Sequence, residues 1–317
     1  MRRLASPALL LALACNTGFA PQYRVTDLRI LAVRAEVVPA QPGAVTAADP
    51  TLDDTVLLKA LVANPLGHAD LRVRWFACAP GASGALPPCV DPEVLRDPSS
   101  LAAAGAFELP GPPPPETGEQ LPPLALSTLP QPVREALQRA LDAASALAQA
   151  QPAYRCRVYV ELPLVVIAQA GGRQEVAVKR VRLVPNPPAP NYPANRNPVV
   201  RDASSAPDDT CVGATSLSLP AALRAGGATT LCAQAGDPPE SYDVCGPDGP
   251  IAPQAKEPFA WQWYVTAGEF PDVGGLGNAE GSDLVFVPPP ARFTLWLLLR
   301  DGRGGVDWKA FEPTPAP

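Results

Sequence analysis

Apolar and polar residues alternate in several short segments of the first half of the chain. In one of them Leu71, Val73 and Trp75 fall on one face and Arg72 and Arg74 on the other, the period of a half-buried β-strand. Segments of this kind, bounded by Pro and Gly, predict strands at Val25–Arg34, Thr55–Ala63, Leu71–Ala77, Tyr154–Leu162, Leu164–Gln169 and Glu175–Val184. The first half is therefore predicted to be an antiparallel β-structure.

The second half carries the same kind of pattern. Phe293–Arg300 is apolar on both faces, which predicts a central strand, and Asp301–Gly305 is a Gly-rich turn that joins it to the last strand. The predicted strands are Thr229–Ala235, Phe259–Thr266, Asp283–Val287, Phe293–Arg300 and Val306–Phe311. Short strands with short turns and a buried Trp are typical of an immunoglobulin-like (Ig-like) β-sandwich.

An insertion at about 86–152 interrupts the strands of the first half. It begins Pro-rich, and about 131–150 then has the period of an amphipathic helix. The apolar stripe of this helix consists of Val133, Leu137, Leu141 and, less regularly, Leu147. We expect the helix to cap an open end of the first domain; the alternative is a partner-binding insertion.

Residues 185–198 hold six prolines and predict a semi-rigid, extended linker between two domains. The expected boundaries are 23–184 for the first domain and 199–317 for the second. The predicted fold class is all-β: two Ig-like β-sandwich domains, the first with a Pro-rich and helical insertion.

The N-terminus has the features of an export signal. Two arginines and a short apolar stretch occupy 1–14, too few residues to span a bilayer. Leu11–Cys15 resembles the lipobox of bacterial lipoproteins, which implies acylation of Cys15 after cleavage and a tether over 15–22. Asn16 is not the Asp that retains such lipoproteins in the inner membrane, so the resemblance implies an outer-membrane anchor. The alternative is an ordinary signal and a secreted or periplasmic protein.

A second resemblance lies in the last third of the chain. Trp261–Gly268, the prolines 288–290, Leu295–Arg300 with Asp301-Gly302, and Trp308 resemble the C-terminal half of polycystic-kidney-disease-type (PKD-type) Ig-like domains. The whole layout resembles bacterial surface lipoproteins with paired Ig-like domains, a group without a shared activity. The resemblance implies a fold and a location but no ligand.

Composition excludes several classes of function. The 317 residues include one His, His68, in a predicted turn, which argues against His-based catalysis and His-ligated metal sites. The formal net charge of −6 argues against a nucleic-acid partner. We expect no metal and no cofactor.

Six cysteines remain if Cys15 is acylated, and in an exported chain an even number suggests disulfides. We expect one bridge per domain. Cys78–Cys89 would be the first, and the second would join two of Cys211, Cys232 and Cys245. Cys156 then acts as a small buried apolar residue; a Cys78–Cys156 bridge is the main alternative.

Candidate chemistry is sparse. Asp53-Asp54 and Asp208-Asp209 are interpreted as turn residues, and the acidic loop that follows Asp237 as solvated rather than a Ca²⁺ site. Trp261 and Trp263 share a strand face and are the candidates for stacking on a sugar. The predicted function is a non-catalytic, lipid-anchored envelope protein that binds an unknown envelope protein or glycan. The alternatives are a carbohydrate-binding surface protein and a secreted hydrolase.

Overall fold

The structure is a computed structural model of the whole chain. It describes residues 21–38, 47–80, 87–111, 120–154, 158–188, 194–206, 211, 213–218, 223–246, 249–271, 276–277 and 284–314. The predicted signal at 1–14, Cys15, Cys156, the centre of the linker at 189–193 and Asp208-Asp209 lie outside the described residues.

Among the described residues, seven strands precede the linker and form two antiparallel sheets. They are β1 (Arg29–Val37), β2 (Thr55–Ala63), β3 (Arg72–Cys78), β4 (Ala106–Glu108), β5 (Leu124–Ala125), β6 (Val160–Ala170) and β7 (Arg173–Leu183). One sheet has the order β1-β2-β5 and the other β4-β3-β6-β7. Buried apolar side chains of both sheets form one continuous core around Trp75.

Alternation along β3 decides which side chains enter that core. Val73 and Trp75 are buried, whereas Arg72 and Arg74 on the other face are exposed.

The hairpin of β6 and β7 closes through Gly171 and Gly172, both with positive φ, so that Ala170 lies opposite Arg173. Glycine adopts this backbone conformation without the steric cost that a side chain would add.

Two α-helices lie in the insertion: α1 (Pro92–Arg96) and α2 (Gln131–Ala150). The periodicity predicts α2 correctly. Val133 and Leu137 are fully buried in the core of the first half, so α2 packs as a cap on this core. Leu147 does not belong to the buried stripe: its side chain is 38% exposed and Ala148 is buried instead.

In the part of the second half that the structure describes, ten strands follow the linker. They are β8 (Val200–Ala206), β9 (Thr215–Ser216), β10 (Thr229–Ala235), β11 (Ser241–Gly246), β12 (Gly249–Lys256), β13 (Ala260–Val265), β14 (Leu276–Gly277), β15 (Leu284–Phe286), β16 (Leu295–Arg300) and β17 (Val306–Phe311). They form sheets of order β15-β10-β8-β9 and β14-β13-β16-β17, and β11 and β12 form a separate hairpin. A second apolar core lies within these sheets. Both halves are sandwich-like antiparallel structures, which confirms the all-β fold class.

One predicted strand is wrong. Tyr154–Leu162 and Leu164–Gln169 were expected as two strands separated at Pro163, but Pro152–Tyr154 is a 3-10 turn and β6 runs through Pro163. Pro163 lies beyond the end of the pairing with β3 and has only Arg180 of β7 opposite it. A missing N–H is tolerated there because the pairing with β3 does not extend to this position.

Tyr23 and Val25, near the start of the described chain, attach to a strand of the second half. Tyr23 packs in the second core, and its carbonyl accepts a hydrogen bond from the N–H of Val265 at 2.9 Å. The N–H of Val25 donates to the carbonyl of Val265 at 2.8 Å. Because both backbone bonds go to the last residue of β13, the segment is fixed to one end of that strand.

Among the residues that the structure describes, no helix combines the length and apolar character needed to cross a membrane.

Candidate functional site

The two halves pack directly against each other. Their interface has an apolar core, in which side chains in and near β1 and β2 pack against side chains of β16 and β17. The buried members are Val25, Leu31, Ala32, Ala63, Trp296, Leu298 and Val306. Burial of this apolar surface favours a fixed arrangement of the halves over two independent domains.

Charged side chains of β1 and β17 pair across the interface. Arg34 forms ion pairs with Asp307 and, within β1, with Glu36 at 2.5 Å. The second carboxylate oxygen of Asp307 accepts the backbone N–H of Val200 at 2.7 Å. One partly buried carboxylate of β17 therefore joins β1 of the first half to β8, the strand that follows the linker.

The end of the linker is part of this interface. Asn197 donates to the carbonyl of Ala35 at 2.8 Å and accepts the N–H of Val306 at 3.2 Å, so a single amide connects the halves. Asn195 is also buried, and its backbone N–H donates to Asp49 at 3.2 Å. Residues 194–198 are thus not a solvated spacer. This end of the linker is packed in the interface, because the Asn197 amide satisfies backbone groups of both halves.

A buried polar turn lies beside the linker. Asp301 accepts the N–H groups of Arg303 and Gly305, each at 2.8 Å, and the side-chain amide of Asn195 at 3.0 Å. Arg303 contacts Glu257 at 2.8 Å. Burial, and then the charge of Asp301, raise the pKa of the Glu257 carboxyl, whereas Arg303 opposes this rise.

Lys179 of β7 reaches across to this turn and donates to the carbonyl of Gly304. Burial lowers the pKa of Lys179 to about 8, although the nearby charge of Asp301 opposes the shift. A lysine from the first half therefore meets the turn that joins β16 to β17. Neither the periodicity nor the motifs of the sequence indicate this contact.

Four of the described cysteines form two disulfides, one within each half. Cys78 and Cys89 are joined across 11 positions, with Cα atoms 6.3 Å apart, as the spacing predicts. Cys211 and Cys232 are joined across 21 positions, with Cα atoms 6.0 Å apart. The first bridge excludes the Cys78–Cys156 alternative. Cys156 lies outside the described residues; Cys245 lies in β11, but its side chain lies outside them.

The tryptophans proposed to stack on a sugar lie in the core. Trp261 is 2% and Trp263 1% exposed, and both pack in the core of the second half. A stacking platform requires an exposed ring face, so neither residue provides one. A change of Trp263 to Ala would therefore remove core packing and would not report on glycan binding.

The other polar candidates act locally. His68 lies in an exposed turn, where its backbone N–H donates to Asn64 at 3.1 Å. Asp54 accepts the N–H of Thr51 at 2.7 Å, and Asp53 accepts the amide of Asn186 at 3.0 Å. Of the segment expected as an acidic loop, Asp237 and Glu240 precede β11 outside any strand, and the part from Ser241 onward belongs to the β11–β12 hairpin. Within the described residues, no three His, Cys, Asp or Glu side chains come together as a metal site.

Comparison with known proteins gives little further information. No protein-family model matches the chain, and no curated protein matches it. Among solved structures, Salmonella alpha-2-macroglobulin reacted with methylamine is similar, with a TM-score of 0.19 and 10% identity. The match covers 92% of this chain but 17% of that chain. A similarity at this level establishes neither the fold nor the function.

Proposed function

We propose that this chain is a non-catalytic protein of the bacterial cell envelope, anchored by a lipid on Cys15, whose two halves act as one interaction unit. The observation that carries the proposal is the attachment of Tyr23 and Val25 to the end of β13. The lipidated tether would therefore join the folded protein at this end of β13. The proposal also includes an outer-membrane location and a relation to PKD-type surface lipoproteins.

The tether is short. Six residues, 15–20, precede the described chain, and an extended segment of that length spans roughly 20 Å. The end of the molecule that begins at Pro21 would therefore stay close to the membrane surface. We call this the anchor end; it also contains the turns 64–70 and 171–172, because Asp27 contacts Arg173 at 3.1 Å.

The opposite end would then be presented to partners. We call it the far end, and it consists of the turns 49–54 and 301–305, α2, and the β11–β12 hairpin. The strand order places them together: β7 ends at Leu183 and β16 at Arg300, and both strands run away from the anchor end. The packed interface supports a unit whose far end keeps a fixed orientation.

The two disulfides support an oxidising compartment outside the cytoplasm. Two exposed carboxylates of the described part form ion pairs: Glu108 with Arg74 and Glu161 with Arg180. The Arg74 guanidinium lowers the pKa of the Glu108 carboxyl through a hydrogen bond. Such pairing stabilises the ionised form, which favours a structural role over that of a general acid.

The anchor is tested by intact mass and detergent partitioning of the protein from its native membrane. We expect a chain that starts at Cys15, carries acyl groups and partitions into detergent, and a Cys15→Ser variant that does neither. Serine is the matched control because it keeps the size of the side chain and removes the thiol that is acylated. An unacylated, soluble native protein would overturn the proposal.

The orientation is tested by energy transfer from a fluorophore on the protein to an acceptor lipid. A non-natural residue for labelling replaces Leu66, 61% exposed at the anchor end, or Ala143, exposed on α2. We expect strong transfer from position 66 and weak transfer from position 143. Equal transfer from the two positions would contradict the proposed orientation without affecting the lipid anchor.

A further inference from the structure

We infer that a cleft between the two halves, at the anchor end, binds the headgroup of a zwitterionic membrane phospholipid, one with a phosphate and a primary ammonium. The inference rests on the proposed function, because the lipid on Cys15 is what would hold this end of the protein beside a membrane. It adds a site and a ligand class to that proposal.

The cleft has walls from both halves. Asn64 and Pro65, just after β2, line it from the first half, and Thr294 and Ala310 are among the residues that line it from the second. Its volume is about 760 Å³, and small-molecule sites usually enclose roughly 300–1,000 Å³. Because the turn 64–70 is part of the anchor end, the cleft lies at that end as well.

The described chain begins beside this cleft. Thr266, which lines the cleft, directly follows Val265, the residue to which Tyr23 and Val25 are hydrogen-bonded. The tether of six residues, 15–20, spans roughly 20 Å when it is extended. The membrane that holds the lipid of Cys15 would therefore lie close enough for one of its headgroups to enter the cleft.

Apolar side chains form the base of the cleft. Val62, Phe293 and Trp296 line it and are 7%, 5% and 6% exposed. They offer contacts to the methylene groups of a headgroup, but the buried ring of Trp296 has no open face on which a sugar could stack. The base of the cleft therefore favours an aliphatic headgroup over a sugar ring.

Two exposed side chains of opposite charge, Arg292 and Glu312, also line the cleft. The strand register pairs Leu295 with Phe311, so both charged residues flank the same end of the β16–β17 pair. Among the residues that the structure describes, neither has an ion-pair partner or a side-chain hydrogen bond. The two charges are thus available to a ligand.

The chemistry of these two groups matches a zwitterion. A guanidinium forms charge-assisted hydrogen bonds to phosphate oxygens, and a carboxylate accepts hydrogen bonds from an ammonium. A phosphate without the ammonium would place a second negative charge near Glu312. The formal net charge of −6 also gives the protein no general attraction to an anionic surface. A phosphate linked to a primary ammonium provides a partner for both Arg292 and Glu312.

Calorimetric titration of the native, acylated protein in a non-ionic detergent tests the chemistry of the site. The probes are glycerophosphoethanolamine, glycerophosphocholine and glycerophosphoglycerol, which share the phosphate. We expect the first to bind roughly fivefold or more tightly than the others, because the ammonium of choline has no N–H to donate and the glycerol headgroup has no cation. Equal binding of all three, or no binding of glycerophosphoethanolamine, would overturn the inference.

Substitutions of the two charged residues test the location. Arg292→Gln and Glu312→Gln should each weaken the binding of glycerophosphoethanolamine roughly fivefold or more, because each removes one charge-assisted contact. Both side chains are exposed, so we expect the variants to fold like the parent. Arg139→Gln and Glu135→Gln make the same charge changes at exposed positions of α2 and should bind like the parent. Parent affinity in both cleft variants would place the ligand elsewhere and overturn the inference.

Hydrogen exchange of the native protein in vesicles tests the membrane as the source of the headgroup. We expect the backbone amides of 292–294 and 310–312 to exchange more slowly in vesicles of phosphatidylcholine with phosphatidylethanolamine than in vesicles of phosphatidylcholine alone. Equal exchange in the two kinds of vesicle, together with binding of the soluble probe, would show that the cleft takes a soluble molecule and would contradict the membrane source.

The outcomes separate this inference from the proposed function. If the native protein has no acyl groups, the proposed anchor fails, whatever the cleft binds. If the native protein is acylated but glycerophosphoethanolamine does not bind, the proposed function stands and only the headgroup site fails.

Discussion

Arg34 in β1 and Asp307 in β17, 273 positions apart, form an ion pair across the interface between the two halves. Both side chains are largely buried, with 15% and 18% of their surfaces exposed. A buried ion pair requires that each charge keep its partner, because an unpaired charge is poorly solvated there. This pair therefore tests how strongly the halves depend on each other.

We expect Asp307→Asn to lower the free energy of unfolding by about 1–2 kcal/mol. The amide oxygen still accepts the N–H of Val200, but the negative charge beside Arg34 is lost. Urea denaturation of the full chain measures the change. The matched control is Glu161→Gln, which removes an exposed pair with Arg180 and should cost less than about 0.5 kcal/mol. Equal effects of the two substitutions would show that the interface pair contributes no more than a surface pair.

Asn197→Ala should cost about 2 kcal/mol in the free energy of unfolding. The substitution leaves the carbonyl of Ala35 and the N–H of Val306 without the amide that satisfies both, and unsatisfied buried polar groups cost about 1–3 kcal/mol. Gln138→Ala is the control, because its hydrogen bond to Asp142 lies on the exposed face of α2. If both variants unfold like the unsubstituted protein, Asn197 does not hold the halves together.

Two glycines with nearly the same φ separate steric crowding from backbone strain. Gly268 has φ +108°, and a Cβ there would lie 2.5 Å from the ring of the buried Phe286 and 2.9 Å from the carbonyl of Val287. Gly304 has φ +109° and no atom within 4 Å of such a Cβ. Both Ala variants carry a backbone cost of about 1–3 kcal/mol, because φ is far outside the regions that residues with a side chain prefer. We expect Gly268→Ala to cost a further 1–3 kcal/mol, roughly, from overpacking.

Thermal or urea denaturation of the two Ala variants measures this difference. The sign of the difference between the two variants matters more than either value alone, because both variants carry a backbone cost. A Gly304→Ala variant less stable than Gly268→Ala would contradict the steric argument.

The strands that the sequence predicts correctly are those in which local patterning and burial agree. Thr55–Ala63, Thr229–Ala235 and Val306–Phe311 are bounded by Pro, Gly or Asp-Gly turns, and the structure places β2, β10 and β17 at the same residues. Local signals of this kind depend on neighbouring residues only. They are therefore available from one sequence.

Strands without that patterning were missed. β8 (Val200–Ala206) consists mainly of small and polar residues, and β12 (Gly249–Lys256) contains two prolines, which argue against a strand in sequence-based reasoning. Tertiary pairing decides both: β8 pairs with β10 and β12 with β11. Pairing partners are set by the whole fold and leave no local periodicity.

The interface could not be predicted from the sequence for a related reason. Its polar members, such as Asn197 and Asp301, lie in segments whose composition is that of a linker and a turn. Their burial depends on contacts with residues more than a hundred positions away, as in the bond between Asn195 and Asp301. The cysteine count, in contrast, correctly indicated disulfides because it depends on composition and compartment alone.

The pH dependence of the free energy of unfolding should report the lowered pKa of the Lys179 amine. Burial lowers its pKa in the folded protein to about 8 from an ordinary value of 10.5. Between these values the folded protein holds a neutral amine while the unfolded chain holds a charged one, so unfolding takes up a proton. The contribution of Lys179 to the free energy of unfolding therefore increases as the pH rises from about 8 to 10.5. This gain in stability is lost as the pH falls again through about 8.

Lys179→Met removes the titrating group and, at every pH, the hydrogen bond to Gly304. We expect the stability of the parent protein relative to this variant to increase between pH 7.5 and pH 9.5, as measured by urea denaturation at both values. Lys256→Met, at an exposed position of β12, is the control and should follow the parent. A constant difference between parent and Lys179→Met would mean that the amine stays charged in the folded state, because only a proton taken up on unfolding makes that difference depend on pH.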